Sequence, residues 1–159
     1  MNKVIIALCS LILLTAIGCD VKQPPQVTTA LEKAPDFALK ELSGKEIKLT
    51  DLIGAKPIVL DFWASWCSYC REAIPDIIEL HNQHKDKITV VGINLDRTLG
   101  SAQRYTSEHN IPYLNLYDEG GQVANAYGVH GIPHIIIINS KGEILKRNAT
   151  IDDIRTIVK

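Results

Sequence analysis

The sequence has no large excess of charge of one sign, few helix-breaking or turn-forming residues and no internal repeat. Its 17 basic and 18 acidic side chains leave a formal charge of -1, so it lacks the positive field that holds a nucleic-acid backbone. Ten glycines and seven prolines among 159 residues exclude a collagen-like or low-complexity chain. No segment of about 20–50 residues repeats, which excludes a solenoid. The length suits one compact domain with a single core, and we expect no nucleic-acid partner.

The longest apolar run is too short to be a good membrane span. It covers Val4 to Gly18, directly after the basic residue Lys3. As a helix it would be about 22 Å long, against roughly 30 Å for the hydrocarbon core of a bilayer. Such a run is typical of the central part of a secretory signal, so we predict a signal peptide over residues 1–18.

The end of this run resembles a bacterial lipoprotein signal, because the small residues before Cys19 lead directly into that cysteine. The resemblance implies cleavage before Cys19, attachment of lipid to its sulfur and, from Asp20, retention at the inner membrane where a cell has two membranes. An uncleaved anchor and a soluble secreted product are the alternatives. All three place the rest of the chain outside the cytoplasm.

Removal of the signal would also take away Cys9, and lipidation would occupy Cys19. The mature domain would then keep only Cys67 and Cys70 as free thiols or as a disulfide. Residues 19–34 are polar, contain two consecutive prolines and show no apolar periodicity, which predicts the lipid-anchor cysteine followed by a flexible tether. The folded domain is expected over residues 35–159.

Apolar periodicity in that domain alternates between strand and helix patterns, which indicates an α/β fold with helices on both faces of a sheet. A hairpin near each end makes the sheet mixed rather than purely parallel. Strands are predicted at 37–42, 46–49, 57–63, 88–95, 113–116, 135–138 and 143–146, and helices at 50–52, 68–85, 101–109, 122–127 and from 150 onwards.

Cys67 and Cys70 lie three residues apart at a predicted strand-to-helix junction. The unpaired N–H groups and dipole at the start of a helix favour the thiolate form of Cys67, and the thiolate is the attacking species in thiol–disulfide exchange. Cys70 lies one turn further into the helix and is expected to be more shielded. We therefore predict that Cys67 is the nucleophile and that Cys70 resolves the mixed disulfide.

Two other interpretations of the cysteine pair are a permanently closed structural disulfide and a zinc site completed by His81 and His84. A disulfide across three residues removes little chain entropy from the unfolded state. A zinc site requires ligands about 2.0–2.3 Å from one ion, whereas Cys70 and His81 would be about 16 Å apart along the predicted helix. We expect no metal site, and we expect these histidines to be surface or partly packed side chains.

The residues around the pair resemble those of a known family. Val59-Leu-Asp-Phe-Trp-Ala-Ser-Trp-Cys-Ser-Tyr-Cys-Arg71, followed by Pro75 and by Gly131-Ile-Pro133 before an apolar strand, is similar to thioredoxin-fold proteins. The opening Ala34-Pro-Asp-Phe37 and the stretch Val91-Gly-Ile-Asn-Leu-Asp96 resemble the TlpA/ResA-like branch of membrane-tethered extracytoplasmic thiol–disulfide oxidoreductases. The resemblance covers about residues 34–159 and implies a thioredoxin-like fold with an N-terminal β-hairpin.

The resemblance also implies roles for individual residues. Cys67 and Cys70 match the redox pair of the family, and Pro133 matches its cis-proline, so the loop of Ile132, Pro133 and His134 would face the sulfurs and bind substrate. Asp61 matches the buried aspartate of thioredoxin, which would accept the proton of Cys70 during resolution. Alternatively, Asp61 turns to solvent or bonds to a loop. Trp66 borders the sulfurs by its place in the motif.

Several positions depart from the family pattern. Ser68 and Tyr69 stand where the branch often carries prolines, and His134 stands where the family usually has Thr. Either a titrating imidazole at position 134 tunes Cys67 or the choice of substrate, or the His134 side chain has no role in the reaction. Members that act in cytochrome maturation carry an acid after the next strand, and both Asp96 and Arg97 align with it.

The sequence therefore predicts a monomeric reductase without a cofactor. Its partners would be disulfide-bearing extracytoplasmic client proteins, with apocytochrome c as one candidate, and a membrane thiol electron donor. A peroxidase is an alternative because Asp36, Phe37 and Gly44 also resemble the opening of peroxiredoxins, although no Pro precedes Cys67 in the expected setting. The other alternative is a lipoprotein that only binds partners.

Overall fold

The computed structural model describes residues 30–159; the predicted signal peptide, Cys19 and most of the tether lie outside the described residues. The described part of the chain is built from seven strands, five α-helices and one 3₁₀ turn. The strands are β1 (Ala38–Glu41), β2 (Glu46–Lys48), β3 (Ile58–Trp63), β4 (Thr89–Asn94), β5 (Leu114–Tyr117), β6 (His134–Ile138) and β7 (Ile144–Lys146). The helices are α1 (Leu49–Leu52), α2 (Ser68–His84), α3 (Leu99–Glu108), α4 (Gln122–Ala126) and α5 (Ile151–Ile157), and the 3₁₀ turn covers Glu119–Gly121.

All seven strands form one sheet in the order β2-β1-β5-β4-β3-β6-β7. The three central strands, β5, β4 and β3, are parallel. The outer strands pair antiparallel, and the hairpins β1–β2 and β6–β7 form the two edges. The predicted mixed sheet with an N-terminal hairpin is therefore confirmed.

Strand β3 separates two apolar layers because successive side chains of a strand point to opposite faces. Val59 and Trp63 pack in the layer that contains the buried face of α2, namely Cys70, Ile74, Ile77 and Leu80. Ile58, Leu60 and Phe62 pack in the opposite layer. By the same alternation, Asp61 points into the layer beneath α2, although it is an acid in an otherwise apolar strand.

Helix α3 begins two residues before its predicted start. Thr98 accounts for the difference, because its hydroxyl oxygen accepts a hydrogen bond from the backbone N–H of Ser101 (3.3 Å) and caps the helix. Leu99 and Gly100 interrupt the apolar periodicity, so the pattern alone placed the start at Ser101. Helix α2 continues through Pro75 as one element.

The last residues of the predicted tether are bonded to the domain. The backbone N–H of Ile144 donates to the carbonyl of Glu32 (2.8 Å), and the N–H of Ala34 donates to that of Gly142 (3.0 Å). Lys33 forms a β-bridge with Glu143. The chain therefore joins the sheet edge beside β7 at Glu32, a few residues before the predicted boundary at 35.

Candidate active site

Cys67 and Cys70 form a disulfide at the start of α2. Cys67 is the N-cap of the helix, and its sulfur accepts a hydrogen bond from the backbone N–H of Cys70 (3.1 Å). The two Cα atoms are 5.3 Å apart. Because the helix start directs N–H groups at Cys67, this position stabilises negative charge on its sulfur when the pair is reduced.

The two sulfur-bearing residues differ in exposure. Cys67 keeps 7% of its surface accessible, whereas Cys70 keeps 1% and packs among the apolar residues beneath α2. A client disulfide that approaches the surface therefore meets Cys67 first, and Cys70 lies behind it. This asymmetry suits a nucleophile and a resolving thiol.

The loop before β6 lies against the sulfur of Cys67. The Ile132–Pro133 peptide bond is cis, which confirms the expectation from the family resemblance. The carbonyl oxygen of Ile132 is 3.6 Å from the sulfur of Cys67. A backbone carbonyl at this position is available to a peptide segment that approaches the sulfur.

Asp61 is buried, with 1% of its surface accessible. Burial raises the pKa of its carboxyl from 3.8 to about 7, and an interaction with the hydroxyl of Tyr113 opposes this shift. The hydroxyl does not reach hydrogen-bond geometry, since neither it nor the Asp61 Oδ2 atom has a partner in the described part of the chain. An acid with this pKa can both accept and release a proton near neutral pH.

Tyr113 and His81 were not predicted as site residues, yet both belong to the surroundings of Asp61. Burial, followed by the charge of Asp61, raises the pKa of Tyr113 far above its usual value, so its hydroxyl stays protonated. The rings of Tyr113 and His81 pack with their centroids 6.0 Å apart. The sequence carries no local signal for this cluster, because Tyr113, Asp61 and His81 belong to three different elements.

His134 begins β6 directly after the cis-proline, and it is half-buried. Its Nε2 atom accepts a hydrogen bond from the backbone N–H of Asn148 (3.3 Å). Burial and the positive charge of Arg147 hold the pKa of His134 below its usual value. The ring therefore supports the link between β7 and α5.

Asp96 is buried and holds the loop that leads into α2. Its carboxylate accepts hydrogen bonds from the backbone N–H of Ser65 (3.2 Å), from the Ser65 hydroxyl (2.8 Å) and from the Asn94 side chain (2.9 Å). Arg97, the other residue that aligns with the maturation-type acid, is exposed. Asp96 thus fixes the backbone next to Trp66.

An open hollow of about 500 Å³ lies beside Trp66 and is lined by Ser65, Trp66, Asp96, Arg97 and Ser101. Trp66 is 61% exposed, which is high for so large an apolar side chain, and Tyr69 is 70% exposed. An exposed aromatic ring beside a hollow is typical of a surface that binds another protein segment.

Residues 30–159 contain no group of three or more His, Cys, Asp or Glu side chains able to share a metal ion. None of the helices in that same stretch is long and apolar enough to cross a membrane.

Known proteins share this arrangement. The AhpC/TSA family profile matches residues 30–147. A thiol-disulfide oxidoreductase ResA from Oceanobacillus iheyensis is 30% identical over 81% of this chain and 69% of its own length. The chain spans only 66% of the length of the first curated relatives that it matches, which are also named ResA.

Two solved structures have a similar fold. The thiol:disulfide interchange protein DsbE from Chlorobium tepidum superposes with a TM-score of 0.70 and 35% identity, covering 75% of this chain and 84% of that one. A secreted disulfide oxidoreductase from Mycobacterium tuberculosis superposes with a TM-score of 0.66 and 27% identity, covering 77% of this chain and 93% of that one. The predicted thioredoxin-like fold is thus confirmed, and the chain belongs to the AhpC/TSA family.

Proposed function

We propose that this protein reduces disulfide bonds in client proteins outside the cytoplasm. The observation that carries the proposal is the position of the Cys67 sulfur, at the start of a helix and 3.6 Å from the Ile132 carbonyl, with Cys70 buried behind it. The names of the matched relatives, thiol-disulfide oxidoreductase and thiol:disulfide interchange protein, support the same chemistry.

The reaction begins with the reduced pair. The Cys67 thiolate attacks one sulfur of the client disulfide and forms a mixed disulfide, and the other client sulfur leaves as a thiolate. Cys70 then attacks the Cys67 sulfur. The client sulfur that was bound to Cys67 leaves as a thiolate, and the protein keeps the Cys67–Cys70 disulfide. Two electrons pass from the protein to the client, and a membrane thiol donor restores the dithiol.

Asp61 acts in the second half of this reaction as a base. The Cys70 thiol must lose its proton before its sulfur can attack, and Asp61 points into the same buried layer. With a pKa of about 7, the carboxyl is partly ionised at neutral pH and accepts that proton.

The client segment lies along Trp66 and the loop of Ile132, Pro133 and His134. Backbone groups of the loop pair with the client segment, and the exposed Trp66 ring packs on it. Apocytochrome c is one such client, since its haem-attachment cysteines must be reduced. His134 supports the link between β7 and α5 through its hydrogen bond with Asn148.

The redox proposal is tested by substitution of each sulfur. Cys67→Ser should abolish the reduction of insulin by dithiothreitol, because no sulfur at the surface remains to attack. Cys70→Ser should still attack but should accumulate a mixed disulfide with the client, visible as an adduct on a non-reducing gel. Full insulin reduction by Cys67→Ser would remove that residue from the mechanism.

The direction of electron flow is tested by the reduction potential of the Cys67–Cys70 pair against glutathione. A tenfold change in the equilibrium corresponds to about 30 mV for a two-electron couple. A potential well below that of the glutathione couple supports a reductase, whereas a potential well above it would make the protein an oxidant of its clients.

We also propose that lipid on Cys19 holds the protein at the outer side of the cell membrane. The small residues before Cys19 and the short apolar run support this location. Cys19→Ala should abolish labelling by radioactive palmitate and move the protein out of the membrane fraction. Continued membrane association without label would instead support an uncleaved anchor.

A peroxidase remains the second candidate because of the AhpC/TSA family match. The segment from Leu60 to Trp66 lacks the proline that precedes a peroxidatic cysteine, and the curated relatives are named for thiol–disulfide exchange. Turnover of hydrogen peroxide in a thiol-coupled assay, at a rate above that of insulin reduction, would favour the peroxidase.

A further inference from the structure

Three buried side-chain polar atoms in residues 30–159 lack a hydrogen-bond partner, and every other buried side-chain polar atom in that range has one. They are Oδ2 of Asp61, the hydroxyl of Tyr113 and Nδ1 of His81. Nearly all buried polar groups in folded proteins are hydrogen-bonded, to protein or to ordered water. Three exceptions in one place therefore require an explanation.

The three residues form one cluster rather than separate defects. Asp61 and Tyr113 interact closely enough that each shifts the pKa of the other. The Tyr113 ring in turn packs on the ring of His81. All three residues lie on the α2 side of the sheet, and Tyr113 is the member that interacts with both of the others.

The cluster extends from the buried sulfur to solvent. Cys70, Ile74, Ile77 and His81 follow one another at steps of four, three and four residues, so they share a face of α2. His81 lies about 16 Å from Cys70 along the helix axis. Its ring is half-buried, with the Nδ1 atom enclosed while the residue as a whole reaches the surface.

We propose that Tyr113 and His81 form a proton path that connects Asp61 to solvent along the buried side of α2. The inference rests on the proposed reductase activity and assigns a role to two residues that this activity does not otherwise use. The advantage of this path is geometric. A bound client covers the surface at Trp66 and Ile132, whereas His81 reaches solvent three helical turns away.

The transfer is balanced at every step. Asp61 takes the Cys70 proton as the Cys70 sulfur attacks Cys67. The protonated carboxyl then gives a proton to the Tyr113 hydroxyl oxygen while that hydroxyl passes its own proton to Nδ1 of His81, directly or through ordered water. His81 releases the proton on its other nitrogen to solvent, and Asp61 is again a carboxylate. The client thiolate takes its proton from solvent.

Two other titratable groups act on members of the cluster. Tyr105 of α3 acts on Tyr113, and its own pKa is raised by burial. Lys85, just after α2, lowers the pKa of His81 in addition to burial. Both effects favour the neutral form of His81, in which one ring nitrogen accepts a proton, as the path requires.

The test follows a single turnover of the full reduced protein with a fluorescent peptide disulfide, by stopped flow from pH 5 to 9. Tyr113→Phe and His81→Gln should each slow resolution of the mixed disulfide by about tenfold at pH 7, within the range of proton-transfer effects. Formation of the mixed disulfide should keep its rate. The double variant should be no slower than either single variant, because the two residues act in series.

Matched controls are Tyr117→Phe on β5 and His84→Gln on α2, both of which should resolve at the wild-type rate. Imidazole in the buffer should restore the rate of His81→Ala but not that of Tyr113→Phe. Cooperative urea unfolding at an unchanged midpoint shows that each variant is folded. If Tyr113→Phe is not folded, the His81 variants and their rescue carry the test.

Wild-type resolution rates in both Tyr113→Phe and His81→Gln at every pH would overturn the proton path and leave the reductase activity intact. Additive slowing in the double variant would also overturn it. Failure of the reductase proposal has a different signature, namely insulin reduction that persists in Cys67→Ser.

Discussion

A single buried acid in an apolar strand has opposite effects on stability and on chemistry. The layer beneath α2 would gain from an apolar residue at position 61, because an ionised carboxyl there lacks full solvation. The chain nevertheless carries Asp61 in β3, the strand that leads to the cysteine pair. We interpret this as stability given up for a base at the position where resolution needs one.

Asp61→Asn should therefore change how stability depends on pH. Unfolded chains release this proton near pH 4, whereas the folded protein holds it until about pH 7, so the folded state binds more protons between these values. The wild-type free energy of unfolding should fall as pH rises from 4 to 7 and level off above 7. At pH 8 the variant should be more stable, by about 4 kcal/mol at most.

Urea unfolding of the oxidised proteins from pH 4 to 9 measures this difference. His81 and His134 titrate in both proteins, so the difference between the two curves isolates Asp61. Parallel curves for wild type and variant would contradict the raised pKa. In the same variant, resolution of a mixed disulfide should slow by about 100-fold at pH 7.

The roles of single residues were predictable only where a motif carries them. Cys67, Cys70 and Pro133 belong to short patterns that a sequence displays directly. Tyr113 does not, because it acquires its environment only when β5 is placed two strands away from β3. His81 was expected to be a surface or partly packed side chain. Its spacing from Cys70 excludes a shared metal ion but gives no information about a partner elsewhere in the fold.

At the scale of whole elements, apolar patterning predicted every strand and helix to within a few residues. The continuous run from Ile58 to Trp63 is a strand covered on both faces, and Thr150 caps α5 as its capping-box pattern indicates. The errors are at ends set by side-chain caps, as at Thr98. The order of the strands in the sheet was not predicted, because pairing between distant segments leaves no local pattern.

One element depends on a glycine that the periodicity does not explain. Gly92 lies in β4 between Asp61 of β3 and Asn115 of β5 in the register of the sheet. The indole N–H of Trp63 donates to the side-chain oxygen of Asn115 across this position (3.0 Å). A Cβ atom on residue 92 would overlap that oxygen and come within 2.8 Å of the indole nitrogen.

Gly92→Ala should therefore lower the free energy of unfolding by about 2 kcal/mol, by forcing apart a buried hydrogen bond. Gly100→Ala is the matched control. No atom outside the neighbouring residues lies within 4 Å of a Cβ at position 100, which is in α3, so this change should stabilise the protein by about 0.5 kcal/mol. Chemical denaturation compares the two. Equal effects would show that β4 tolerates a side chain at 92.

At the scale of the whole molecule, the two edges of the sheet in residues 30–159 disfavour association of the protein with itself. Both edge strands have three residues, and each carries a charged side chain, Glu46 and Lys48 on β2 and Lys146 on β7. Short, charged edges discourage pairing between sheets. Five large apolar residues are exposed in this part of the chain. Trp66 and Tyr69 lie three residues apart beside the redox pair, and the others are Leu31, Leu99 and Leu145.

The protein should therefore sediment as a monomer when residues 19–159 carry Cys19→Ser to prevent lipidation. Sedimentation velocity should give one species whose coefficient does not change between micromolar and submillimolar concentrations, in the oxidised and in the reduced protein. A coefficient that rises with concentration would contradict the argument from the edges, and an increase confined to one redox state would identify the face around Trp66 as the interface.

The attachment of Glu32 to the edge beside β7 determines how far an anchored domain can search. Arg147 and the backbone of Ile144 hold Glu32 against the domain, and 13 residue-to-residue steps separate Glu32 from Cys19, the site of the proposed lipid. At full extension these steps reach about 45 Å. An anchored domain would therefore stay within a distance of the lipid that is comparable to the thickness of the bilayer. A partner must present its sulfurs within that distance.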